Sequence, residues 1–211
     1  IVSKDDVVIA NGTYDINVSQ TAIKANDNLN IADGTFNISG GSDGLHSENN
    51  DDETLGAIYI AGGTFNITAY DDGIHATTIL KIDGGAFDIS TAEGLEATYI
   101  VINDGNISIS ASDDGINATQ KSSIYTPTIE VNGGDITVVM GAGDTDGLDS
   151  NGDIVINGGT INVTGNSAFD YDGTGVINGG TVIVNGEEVS TLTNQMMGGR
   201  GVMSGTKGPR R

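Results

Sequence analysis

Ile60-Ala-Gly-Gly-Thr-Phe-Asn-Ile67, followed by Asp72-Gly-Ile-His-Ala76, is the stretch whose reading decides the fold. The pattern returns as Ile82-Asp-Gly-Gly-Ala-Phe-Asp-Ile89 with Glu93-Gly-Leu-Glu-Ala97. It returns again as Ile102-Asn-Asp-Gly-Asn-Ile-Ser-Ile109 with Asp114-Gly-Ile-Asn-Ala118. Further copies centre on Gly34, Gly134, Gly159 and Gly180, and a degenerate first copy on Gly12. From Gly12 through Gly34, Gly63, Gly85, Gly105, Gly134 and Gly159 to Gly180, the intervals are 22, 29, 22, 20, 29, 25 and 21 residues. Self-similarity at such a period is the mark of a stacked-repeat architecture.

Within a copy, apolar and polar residues alternate, as in a strand with one buried face. Ile82, Phe87, Ile89 and Leu95 point one way; Asp83, Asp88 and Glu96 point the other. Three short strands per copy, separated by Gly-Gly and Asp-Gly turns, leave no room for a crossover helix. Every copy reads in the same direction, so stacking in parallel buries one column of side chains per position. The expected fold is all-β: a right-handed parallel β-helix of about eight coils, with three short strands per coil. The inward columns are Ile31, Ile60, Ile82, Ile102, Val131, Ile156 and Ile177 for the first strand. For the second they are Ile38, Ile67, Ile89, Ile109, Val138, Val163 and Val184, beside Phe36, Phe65 and Phe87. For the third they are Ile23, Leu45, Ile74, Leu95, Ile116, Leu148 and Phe169. The glycines supply positive φ angles at the corners. Residues 48–55 and 120–127 exceed the repeat and read as loops, and 141–145 as a shorter bulge. The β-helix domain is expected over residues 1–186, and a disordered Gly- and Met-rich basic tail over 187–211. Residues 1–12 carry no obvious cap, so the native chain is expected to continue upstream with more coils.

Composition narrows the function. Of 211 residues, 33 are Gly and none is Cys or Trp; 29 acidic residues against 8 basic ones leave a net charge of −21. Four of the eight basic residues are Arg200, Lys207, Arg210 and Arg211, so residues 1–186 hold 27 acids against four lysines. This balance opposes nucleic acid and anionic lipid as partners, and no apolar run is long enough to span a membrane. Without Cys, disulfides, thiolate metal sites and cysteine nucleophiles are excluded. Cations and cation-bridged partners are favoured.

Aligning the third strands produces two polar columns. Before the glycine sit Asp43, Asp72, Glu93, Asp114 and Asp146, with Thr21 and Ser167 at the ends. Two places after it, pointing outward, sit Lys24, His46, His75, Glu96, Asn117, Asp149 and Asp170; Asp71, Asp113 and Asp144 crowd the same corner. Two like charges about 4.8 Å apart repel by roughly 0.9 kcal/mol in water and about 3.5 kcal/mol at an effective dielectric of 20. Either the carboxylates are solvated and splayed, or a divalent cation bridges them. Oxygen donors without thiolates point to Ca²⁺. The candidate ligands are Asp43, Asp72, Glu93, Glu96, Asp113, Asp114, Asn117, Asp144, Asp146, Asp149 and Asp170. An ordinary Asp-Gly turn, with the Asp bonding its own backbone, is the alternative for any one of them. His46 and His75 read as surface residues stacked between neighbouring coils rather than as zinc ligands.

The runs Asp43-Gly-Leu-His-Ser47, Asp72-Gly-Ile-His-Ala76, Glu93-Gly-Leu-Glu-Ala97, Asp113-Asp-Gly-Ile-Asn-Ala118, Asp146-Gly-Leu-Asp-Ser-Asn-Gly152 and Phe169-Asp-Tyr-Asp-Gly173 together carry a resemblance. Over residues 5–186 the chain resembles the secreted carbohydrate-binding β-helix family of Gram-positive bacteria, whose fold is similar to that of pectate lyases. The resemblance implies a secreted or cell-surface protein, calcium ions on the helix surface, and binding of cellulose or acidic plant polysaccharide such as polygalacturonate. Lys24, His46 and His75 depart from it, standing where carboxylates are expected in the outward column.

The leading expectation is therefore a non-catalytic, calcium-assisted polysaccharide-binding module, monomeric or touching others end to end. His46, His75, Tyr70 and Tyr99 are its candidate sugar contacts, with Tyr59 and Tyr125 as further stacking platforms. A calcium-dependent lyase is the alternative. Its base would be Lys24, Lys81, Lys121 or one of the histidines, since residues 1–186 contain no Arg. A structural adhesin stalk is the third reading.

Overall fold

The computed structural model describes residues 1–143 and 145–195. Its chain winds through three parallel sheets, one strand per sheet per coil. The first sheet has eight strands, from Val7–Ile9 to Gly175–Ile177. The second has nine, from Thr13–Val18 to Thr181–Val184 plus a last strand, Glu187–Val189. The third has seven, from Ile23–Ala25 to Ser167–Tyr171. Sequence neighbours never pair except in that last strand, which returns antiparallel. This is a parallel β-helix of eight coils.

The registers reproduce the inward columns. Ile60 pairs Ile82, and Ile82 pairs Ile102; Ile67 pairs Ile89; Ile74 pairs Leu95 and Leu95 pairs Ile116. A one-residue slip would turn each column to solvent, so burial of one face holds the register. The rings of Phe36, Phe65 and Phe87 stack face to face at 4.6 Å, and Tyr14 continues the pile on Phe36 at 4.9 Å. A further inward column runs through Leu29, Ile58, Leu80, Ile100, Ile129 and Ile154, all fully buried. It goes unnoticed in the repeat alignment because it opens each first strand, just after a corner of variable length.

The corners have two kinds of glycine. The marker glycines take positive φ; Gly85, at 114°, is an example, and there glycine supplies backbone freedom. The glycines after the acidic residues are different. Asp72–Ala76 and Glu93–Ala97 are strands, so Asp72-Gly73 and Glu93-Gly94 are not turns. A Cβ on Gly94 would lie 2.3 Å from Gly115 O and 2.6 Å from Ile109 Cγ2. Glycine is needed there for close approach of sheets, which corrects the turn reading of these pairs.

Outside the core, amides stack at the corner between first and second sheets. Asn103 donates to Asp83, Asn132 to Asn103, Asn157 to Asn132 and Asn178 to Asn157, at 2.6–2.9 Å. Asn103, Asn132 and Asn157 each donate to one coil and accept from the next, satisfying both ends of the group.

Both insertions leave the stack after a third strand, and they meet. Ser122 Oγ donates to Glu53 O at 2.7 Å, and Ser123 donates to the Glu53 carboxylate through N and Oγ at 3.1 and 2.7 Å. At the C-terminal end, the strand Glu187–Val189 and residues 192–195 belong to the ordered structure, not to the tail expected from the sequence. Leu192 is buried, Tyr171 Oη donates to Leu192 O, and Gln195 N donates to Phe169 O, so this segment covers the last third-sheet strand. The rest of the expected tail, 196–211, lies outside the described residues, as does Asp144. At the other end Val2 bridges Lys24, adding residues 1–3 to the third sheet's edge.

Candidate functional site

The third sheet places the outward column in unbroken register: Lys24 beside His46, then His75, Glu96, Asn117, Asp149 and Asp170. Strand pairing brings these seven side chains onto one face about 4.8 Å apart. The column is electrostatically two different sites.

In its first half every carboxylate has a cationic partner. His46 Nδ1 lies 2.7 Å from Asp43 Oδ2, and His75 Nδ1 lies 2.7 Å from Asp72 Oδ2 and 2.8 Å from Glu96 Oε2. Lys121, brought back by the 120–127 insertion, reaches Glu96 Oε1 at 2.9 Å. Burial acts to raise the pKa of Asp43, but the hydrogen bond and charge of His46 outweigh it and hold the carboxyl down at about 2. Burial likewise acts to lower His75, yet Asp72 and Glu96 push it up to about 9. The His46 and His75 rings stack at 4.4 Å, but with exposures of 8% and 9% they are not surface residues. Little of either ring is open to a sugar. Against burial, His75 and Lys121 hold Glu96 down, whereas burial leaves Asp72 raised in spite of His75; calcium at Asp43, Asp72 or Glu96 would compete with these ion pairs.

In the second half two acids, Glu93 and Asp149, are shifted the other way. Glu93 is pushed up to about 7 by burial and then by the charge of Glu96. Asp149 is pushed up to about 7 by burial and then by Asp114, Asp170, Asp146 and Asp172. Asn117 Nδ2 donates to Glu93 Oε2 at 2.9 Å, which fixes the amide; its Oδ1 is buried without a partner. An unmet buried acceptor costs about 1–3 kcal/mol. Asp114 Oδ1 accepts from Asp146 N at 3.0 Å, and Asp146 accepts from Ser167 Oγ. Asp113 is exposed. Oxygen donors throughout, with one buried acceptor unmet, fit a hard cation. The acids are strung along the column rather than gathered at a point: among the described residues, the groups of three His, Asp or Glu converging within 4.8 Å are both in the first half.

Tyr70 stands 83% exposed at the corner leading into the third sheet. Beside it a groove of about 550 Å³ crosses the coils, lined by Tyr70, Ser90, Ser110, Ser112 and Met140 among others. Tyr99, at the opposite border of the sheet, is half-buried; its Oη donates to Glu130 and its ring tilts against Tyr125 at 5.6 Å. Burial and Glu130 push its pKa up to about 12. Its hydroxyl is thus engaged, and Tyr70 is the better placed of the two for a ligand. The groove was not legible in the repeat, because its lining is gathered from the ends of second-sheet strands and the corners after them in several coils.

The chain belongs to the family of carbohydrate-binding domain-containing proteins, whose model matches residues 1–147 and 96–207. No curated protein and no solved structure matches it.

Proposed function

We propose that this domain binds plant cell-wall polysaccharide without cleaving it, with Ca²⁺ bridging protein and polymer. Family membership supports carbohydrate as the partner class. The observation that carries the calcium reading is at Asp149 and Asn117: Asp149 is pushed up to about 7 by burial and four acidic neighbours, next to the unmet Asn117 Oδ1. Asp114, Asn117, Asp146, Asp149 and Asp170 would hold the ion; Glu93 stands beside them. Ca²⁺ takes six to eight oxygens in flexible geometry, so protein carboxylates can fill part of its shell and sugar carboxylates or hydroxyls the rest. An acidic face repels a uronate polymer unless a cation is shared, which is why polygalacturonate needs the metal more than neutral cellulose does. The groove beside Tyr70 offers the polymer a track along the coils, with serine hydroxyls for its polar edges and a ring for its apolar faces. A partner of this kind would be met at the cell surface or in the medium, which is where we infer that the protein works.

Lyase chemistry is less well supported. Lys81 is tied to Asp83 at 2.7 Å, Lys121 to Glu96, and Lys24 approaches Glu48 at 3.9 Å. A base must be free to take a proton, and these amines are engaged by carboxylates.

The test is co-sedimentation with insoluble cellulose and with polygalacturonate gel, in calcium and in chelator. Retention by polygalacturonate in calcium that chelator abolishes is expected, with no growth of unsaturated-product absorbance. Retention equal in chelator would overturn the calcium bridge, and absence of retention by either polymer would overturn the choice of partner.

A further inference from the structure

The chain's two histidines are left unused by the carbohydrate reading. Their Nδ1 atoms are occupied, His46 by Asp43 and His75 by Asp72 and Glu96. A carboxylate on Nδ1 keeps the proton on that side and leaves Nε2 as the ring's open coordination position. His75 Nε2 is buried and has no hydrogen-bond partner. His46 Nε2 faces Glu48 Oε2 at 3.3 Å. One ligand atom from each of His46, Glu48 and His75 lies within 4.8 Å of the other two.

We propose that His46, His75 and Glu48 bind one transition-metal ion of the zinc class, through the two Nε2 atoms and a Glu48 carboxylate oxygen. Two imidazoles and one carboxylate suit zinc, whereas Ca²⁺ takes oxygen ligands. Asp43 and Asp72 are the outer carboxylates that orient the rings and raise their basicity. Any proton on either Nε2 passes to solvent as the ion binds. The rings now stack with planes 13° apart; nitrogens sharing one ion at tetrahedral angles sit roughly 3.4 Å apart, so the stack splays on binding.

The first insertion meets the proposed site at Glu48. Glu48, Asn49, Asp51 and Glu53 line a polar cavity of about 340 Å³ that reaches Thr77 and Lys121. Its acidic side chains attract a cation to the Glu48 side of the site, and water completes the coordination. None of the three ligands belongs to the calcium set, and Asp149 is three strands further along the column, about 14 Å away.

The experiment is calorimetric titration of the metal-free full chain with Zn²⁺ in millimolar Ca²⁺, together with long-range proton–nitrogen spectra of the two histidines. One Zn²⁺ per chain is expected, with both Nε2 signals shifting while Nδ1 stays protonated. His75→Gln should abolish binding. Glu48→Gln, a change on a partly exposed loop residue that leaves the ring stack intact, should weaken it at least about tenfold. Asp149→Asn should leave Zn²⁺ binding unchanged while losing the calcium effect, so the two sites fail or stand separately. Zn²⁺ affinity unaltered in both Glu48→Gln and His75→Gln, or Nε2 signals unmoved at saturating Zn²⁺, overturns the assignment; so does displacement of Zn²⁺ by Ca²⁺.

Discussion

Replacing Asp149 by Asn removes a charge that the fold holds at a cost. Burial and the carboxylates of Asp114, Asp170, Asp146 and Asp172 raise its pKa from 3.8 to about 7. About three pKa units correspond to roughly 4 kcal/mol; screening of a partly exposed group reduces this to about 2 kcal/mol. The sign follows from linkage. A carboxyl raised in the folded state favours folding where it is protonated, below pH 3.8, and that advantage is lost as pH rises through 7. In chelator, wild type and Asp149→Asn should be equally stable near pH 3.5. At pH 8 the variant should be about 2 kcal/mol more stable, or roughly 4–8 °C in Tm for a chain of this size. Calcium at a hundred times its Kd should then raise wild type by about 2.7 kcal/mol and the variant by much less. Urea melts at pH 3.5 and pH 8, with chelator or calcium, measure all four quantities. Equal stability at pH 8 in chelator, or an undiminished calcium gain in the variant, would refute the reasoning.

Glu96→Gln tests the division of the column. It leaves Lys121 without its carboxylate and the buried His75 with Asp72 alone, so a loss of about 3 kcal/mol is expected by urea melt, while the calcium-induced gain should persist. Phe65→Ala opens the middle of the aromatic pile and should cost about 3–5 kcal/mol by the same assay. Gly94→Ala drives a methyl into Gly115 O and Ile109; a loss of about 1–3 kcal/mol is expected although the residue lies in a strand where alanine is otherwise tolerated. Tyr70→Ala should change stability by less than about 0.5 kcal/mol and yet weaken retention on polysaccharide; undiminished retention would remove the groove from the proposed track.

The neutralised half of the column shows where reading residues in one dimension stops. Glu96 and Asp149 occupy equivalent places in their copies, and nothing in either motif separates them. They differ because Lys121 arrives from an insertion outside the repeat, and because two histidines stand in the neighbouring coils on one side only. Asp72-Gly73 misleads in a related way. The pair is common in turns, but its glycine answers to Ile89 and Gly94 O in adjoining strands, contacts that no local pattern contains.

Periodic features needed only the chain. Alternation and a recurring copy determine which residues face inward, and in-phase stacking makes each strand's partner its own equivalent one coil away, so the columns of Ile, Leu and Phe follow. Charge compensation and metal affinity do not repeat with the coil. They depend on burial, on two loops that fold back and clasp through Glu53, Ser122 and Ser123, and on which ring nitrogen a neighbouring carboxylate occupies. Coulomb and desolvation energies are set by distance and surroundings in space, so only the folded coil distinguishes a carboxyl held down, such as Asp43, from one pushed up, such as Asp149.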